Sequence, residues 1–212
     1  MKRITIALAL LASAAPALAE TVQRTVEITK AFPYIDKYYS IEPKDRALFA
    51  LRYNFRQDGK APSDLKLTLI DGAKRTPITV AGDGRVERLP TPAELAAKAQ
   101  ILVETPKGVK IGEQLSMDTT IKPSTEIDPA QCAGAIAQTS AAIARFAGVL
   151  AFAAPKIKAC TFPGAPSGVA VLPDGKTQPL PLIKGAPAYD PTAIKGVKLI
   201  RLAKAPIVVS LE

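Results

Sequence analysis

From Phe49 to Arg56 apolar and polar side chains alternate without a break: Phe49, Leu51, Tyr53 and Phe55 are separated by Ala50, Arg52, Asn54 and Arg56. A period of two with one apolar and one wet face predicts a strand of an antiparallel sheet covered on one side. Leu65, Leu67 and Leu69 repeat the pattern and stop at Asp71-Gly72, a dipeptide that supplies the positive φ of a tight turn. Ile101 to Glu104 and the series Leu115, Met117, Thr119, Ile121 predict two more strands. Ahead of them Thr91-Pro92-Ala93-Glu94 is a capping box with Pro at the first helical position, so a short helix runs through about Lys98. Short strands spaced by turn signals, with one brief helix, predict a small sandwich.

One hairpin returns. Ile78-Thr79-Val80 enters a turn at Asp83-Gly84-Arg85 and leaves toward Leu89-Pro90, while Val169-Ala170-Val171 enters one at Asp174-Gly175-Lys176 and leaves toward Leu180-Pro181. The flanks line up too: Ile157 to Phe162 with Leu65 to Ile70, Asp190-Pro191 with Thr91-Pro92, and Val197 and Leu199 with Ala99 and Ile101. Pro206 to Leu211 closes the chain as a last strand. Between the copies the period lengthens. Asp128-Pro129 supplies a cap and a first helical residue, and Cys132, Ile136, Thr139, Ile143, Ala147 and Leu150 form one stripe of a helix reaching about Phe152 before Pro155. The predicted fold class is mainly β with a minor α component: two related small β-sandwich units joined by an α-helix. The predicted segments are 1–19 as a signal peptide, 20–122 as a first unit with an aromatic N-terminal arm, 123–155 as linker and helix, and 156–212 as the second unit.

The signal peptide rests on Lys2 and Arg3, the apolar run Ile4 to Ala12, and Ala17-Leu18-Ala19 as a small-x-small cleavage site. It predicts export, to the periplasm or beyond the cell. Ala133 to Ala154 holds Gln138 and Arg145 and more Ala than Leu, so no transmembrane segment is expected in the mature chain. Without Lys2 and Arg3 the 28 bases become 26 against 19 acids, a formal +7. That balance favours an envelope protein or an anionic envelope polymer as partner. The bases are dispersed, which gives no nucleic-acid footprint.

Candidate chemistry is sparse. Absence of His from the sequence removes the Ser-His-Asp and Cys-His devices and the commonest zinc ligand. Ser63-Asp64-Leu65-Lys66 has the Ser-x-x-Lys spacing of penicillin-recognising enzymes, but it sits on a loop entering a strand and lacks their accompanying motifs. The Asp-Gly sites lack the oxygen ligands of a calcium loop, and there is no phosphate-cradling Gly-rich loop. No catalytic residue, metal site or cofactor is expected. Cys132 and Cys160 in an exported chain predict a disulfide, closing a loop of about 28 residues and stabilising by about 3 to 4 kcal/mol. For binding, Phe32, Tyr34, Tyr38 and Tyr39 cluster within one octapeptide with Lys37, and Arg46 follows. Rings with polar tips suit a partner surface, with the two bases for an anionic group. The same residues also suit a helical arm that covers a sheet, Tyr34 and Tyr38 then sharing a face at i, i+4.

The signal peptide, the sandwich pattern and the Asp-Gly-base-x-x-x-Leu-Pro hairpin together resemble uncharacterised exported proteins of proteobacteria. Two immunoglobulin-like units with a basic charge are also similar in architecture to periplasmic pilus chaperones, although the long connecting helix departs from that family's short linker. The leading expectation is a non-catalytic exported binding or structural module of the bacterial cell envelope. The alternatives are a carrier of an apolar, lipid-like envelope molecule held between the Ala-rich helix and a sheet, and a chaperone-like protein.

Overall fold

The structure, a computed structural model, describes residues 20–148 and 156–212. The signal-peptide reading of 1–19 and the expected last turn of the long helix lie outside them. Within the described residues the chain is mainly β, in several antiparallel sheets.

The first half is built from two sheets. In one, Thr21–Glu27 (β1), Lys66–Asp71 (β3), Lys74–Ile78 (β4) and Gln100–Pro106 (β5) lie in the order β1-β5-β3-β4. In the other, Phe49–Arg56 (β2) pairs along its whole length with Gly112–Thr119 (β6), from Phe49 opposite Thr119 to Arg56 opposite Gly112. The returning arm of the Asp83-Gly84 hairpin lies on the free edge of β2, with Val86 N–H donating to Tyr53 O at 2.9 Å and Phe55 N–H to Gly84 O at 2.8 Å. The alternation on β2 is realised as its period demands. Phe49, Leu51, Tyr53 and Phe55 are buried and meet Leu67, Leu69 and Ile101 of the facing sheet in one core. Strand β1 was not foreseen. Its Val22-x-Arg24-x-Val26 alternation carries too little apolar weight to be read as a buried face.

Two short helices, Ile28–Ala31 (α1) and Ile35–Tyr39 (α2), follow β1, and a third, Pro92–Ala96 (α3), opens with the expected capping box: Thr91 Oγ1 accepts from Glu94 N–H and Glu94 accepts from Thr91 N–H. The long helix, Pro129–Ala147 (α4), is capped by Asp128, whose carboxylate accepts from Ala130 N–H at 2.8 Å. Its buried residues are Pro129, Cys132, Ala135, Thr139, Ala142 and Phe146, so the stripe is rotated from the expected one and Ile136 and Ile143 are half-buried. The reason is size. Small side chains face the sheets because they let the helix axis come close, and Gly134 lies so near the Leu48 side chain that a Cβ there would clash.

The second half packs two four-stranded sheets. Glu126–Ile127 (β7), Gly168–Val171 (β9), Thr177–Pro179 (β10) and Leu199–Leu202 (β13) run in the order β10-β9-β13-β7. Cys160–Thr161 (β8), Leu182–Ile183 (β11), Ala186–Tyr189 (β12) and Ser210–Leu211 (β14) run β11-β12-β8-β14. Part of the expected linker is thus sheet: Ile127 pairs with Ile200 in β13. Asp190-Pro191 opens one hydrogen-bonded turn, with Ile194 N–H reaching Asp190 O at 3.0 Å, where a short helix was expected.

The repeated hairpins agree in their turns. Ala81 N–H donates to Arg85 O as Leu172 N–H does to Lys176 O, each Asp carboxylate accepts from the N–H two residues on, and both glycines stand at φ +83°. Their surroundings are unlike, which corrects the expectation of a duplicated unit. The first hairpin places its returning arm against β2, whereas the second is joined through its outgoing arm, β9, to β13. The supposed counterparts β3 and β5 are neighbours, but β8 and β13 lie in different sheets. Turn chemistry made the sequence likeness; the wider pairing did not follow.

Gly84 and Gly175 separate these effects. A Cβ on Gly84 would strike the Phe55 carbonyl oxygen, while one on Gly175 would meet nothing within 4 Å. Gly175→Ala should therefore cost about 1 to 2 kcal/mol for the left-handed backbone alone. Gly84→Ala should cost about 2 to 5 kcal/mol, as overpacking adds to that strain. Denaturant midpoints of the two variants measure the difference, and equal midpoints would show that β2 does not hold the first hairpin.

Candidate functional site

The aromatic residues singled out from the sequence form a clasp. Phe32 is fully buried, edge-on to Tyr53 at 5.2 Å between ring centroids and to Phe55 at 6.3 Å. Tyr38 is buried edge-on to Phe49 at 5.7 Å. Tyr39 donates its hydroxyl to Pro90 O at 2.7 Å, and burial, reinforced by Tyr38, raises its pKa. Arg46 stacks over both rings, its guanidinium carbon 4.8 Å from the Tyr38 centroid and 5.4 Å from that of Tyr39, while its Nε–H donates to Ile41 O. Tyr34 and Tyr38 do not share a face, because Tyr34 takes a left-handed conformation at φ +68° ahead of α2. Its ring instead stacks on Phe146 of α4 at 5.5 Å, and Lys37 Nζ donates to Phe146 O at 3.0 Å. An ammonium on a carbonyl of the last helical turn is a favourable C-terminal cap. These six residues tie the N-terminal arm to β2 and α4 and do not converge on a common opening; Tyr34 keeps the largest exposure of the four rings, 43%.

The opening lies at the other end of β2. Between the edge strands β1 and β6 the two sheets part, leaving a cleft of about 390 Å³ walled by Val26, Phe55, Leu65, Leu67, Val103 and Ile111. A second lobe of about 500 Å³ shares Arg24, Val103 and Ile111 with it and extends toward Val22 and Lys110. Both lobes fall within the range of small-molecule sites.

Strand register explains why the cleft exists. Arg24 is opposite Val103, and Val103 opposite Leu67, so Arg24 stands on the inner face of its sheet in a row of apolar residues. On the facing sheet Glu113 is opposite Phe55 and in phase with Leu115 and Met117, which again is an inner position. Each edge strand thus turns a charged residue inward, a placement that keeps an edge soluble but stops apolar walls from closing over it. Arg24 and Glu113 do not form an ion pair among the described residues. The Glu113 side chain reaches water at the mouth, yet the apolar walls desolvate its carboxyl and push its pKa up to about 7. The same acid, after burial, helps raise the pKa of Tyr53, whose hydroxyl donates to Pro33 O at 2.7 Å.

The thiols of Cys132 and Cys160 are free and buried, which corrects the expected disulfide. They are adjacent: a hydrogen bond with Cys132, followed by burial, raises the pKa of the Cys160 thiol. Among the described residues no cluster of three or more His, Cys, Asp or Glu is placed to hold a metal, and no helix is long and apolar enough to cross a membrane. No family model matches this chain, and neither does any curated protein or solved structure.

The raised pKa of Glu113 has a defined sign in stability. A carboxyl whose folded pKa lies above its unfolded one holds its proton more tightly in the folded state, so folding weakens as pH rises between the two values. Glu113→Gln removes the ionisation. The variant should match the parent in melting temperature at pH 4 and exceed it increasingly from pH 5 to pH 8. A constant offset across that range would show that the carboxyl is ordinarily solvated.

Proposed function

We propose that the protein is a non-catalytic exported binding module of the bacterial cell envelope, and that it carries an apolar, lipid-like molecule in the cleft between β1 and β6. The observation that supports this most is the cleft itself, with Val26, Leu67 and Val103 on one wall, Phe55 on the other, and charged residues at its rim. It lies in the first sandwich rather than beneath the Ala-rich helix, where Ala135 and Ala142 are packed closed. The signal-peptide pattern of 1–19 supports export, and the lack of His leaves no base for the common nucleophilic triads. Native mass spectrometry of protein purified without detergent tests the reading. A lipid-sized adduct should accompany the parent protein and be lost in Val103→Trp, which fills the cleft. A bare mass that takes up neither a fatty alcohol nor a fatty acid on incubation would refute it.

A further inference from the structure

The cleft has an electrostatic asymmetry that an apolar carrier does not require. Arg24 and Lys30 line its first lobe, and Arg24 and Lys110 its second. They come from three separate places in the chain: the inner face of β1, the last turn of α1, and the loop that leads into β6. None of the three is in an ion pair among the described residues, and all three are exposed to solvent at the cleft's rim. Glu113 is the acid that faces them, from β6.

Resting on the carrier reading above, the geometry points to an anionic single-chain amphiphile as the ligand: an acyl chain lies between Val26, Phe55, Leu67 and Ile111, and a carboxylate or phosphate head is held at the mouth by Arg24, Lys30 and Lys110. Charge complementarity selects this occupant. A cationic head would meet three exposed bases, and a neutral one would leave their charge unmatched. Arg24 contributes most because its planar fork grips two oxygens at once, and because strand register sets it beside Val103 at the edge of the cleft. With its pKa pushed up to about 7 by desolvation, the Glu113 carboxyl is about half protonated near neutral pH, and in that form it donates a hydrogen bond to an anionic head instead of repelling it. The other ionisable group close to it, Tyr53, stays a neutral phenol bonded to Pro33 O.

Titration calorimetry with the full exported chain, each ligand below its micelle concentration, tests this with four probes of one chain length: laurate, lauryl phosphate, dodecanol and dodecyltrimethylammonium. Laurate or lauryl phosphate should bind at least about tenfold tighter than dodecanol, a difference of about 1.4 kcal/mol, and the ammonium should bind more weakly than the alcohol. The preferred anion identifies the head as carboxylate or phosphate. Arg24→Gln with Lys30→Gln should reduce the anion to the level of dodecanol and leave dodecanol unchanged, and Arg24→Lys should restore part of the preference. A thermal melt of the double variant within a few degrees of the parent shows that the fold is retained; if it is not, Lys110→Gln with Lys30→Gln serves in its place. Equal binding of laurate, lauryl phosphate and dodecanol overturns the anionic head but keeps the apolar cleft. Failure of all four probes to bind overturns both.

Discussion

Helix α4 is buried in two cores at once. Cys132 and Ala135, near its start, belong to the core of the second half, and Ala142 and Phe146, near its end, to the core of the first. Much of the rest follows from that constraint. A helix that must lie flat against two sheets needs small residues on its inner face, which is why Ala135 and Ala142 rather than Ile136 and Ile143 are fully covered. Its last turn must also be held, and the aromatic arm supplies the means: Tyr34 stacks on Phe146 and Lys37 caps its carbonyl. Of the rings that suggested a partner surface, Phe32 and Tyr38 are thereby buried, while Tyr34 stays partly exposed on Phe146.

The same arrangement decides where the first sandwich is open. Helix α2 lies at the Phe49 end of β2 through Tyr38 against Phe49, while Phe32 of the arm reaches along the strand to Tyr53 and Phe55. The cleft is six residues further along the strand, at Phe55, a distance of about 20 Å at the usual rise. There only the end of α1, through Lys30 and Ala31, borders the mouth, and each edge strand carries a charge at an inner position, Arg24 on β1 and Glu113 on β6.

The strands with a heavy apolar face were legible in the sequence, because alternation states both element and orientation. Phe49 to Phe55 and Leu65 to Leu69 gave their buried faces directly, and the capping box at Thr91 and the Asp128 cap gave two helix starts. What was illegible depended on tertiary choice. The hairpins at Asp83 and Asp174 share a turn because Asp-Gly dictates it locally, but which strand lies beside each is set by packing, and there the two diverge. The cleft was missed for a related reason: Arg24, Leu67, Val103 and Glu113 are far apart in the chain and meet only through register. A signal did exist. Arg24 stands in phase with Val22 and Val26, and Glu113 in phase with Leu115 and Met117, so each is a charge at an inner position of an alternating run.

The most direct measurement on this account is hydrogen–deuterium exchange of the backbone with and without a saturating single-chain amphiphile. A molecule seated between the edge strands should slow exchange in residues 22–26 and 111–115 and leave α4 and the second half unchanged. Unaltered exchange in those two segments, with protection appearing instead around α4 or in residues 160–211, would contradict a sandwich that binds at its Phe55 end.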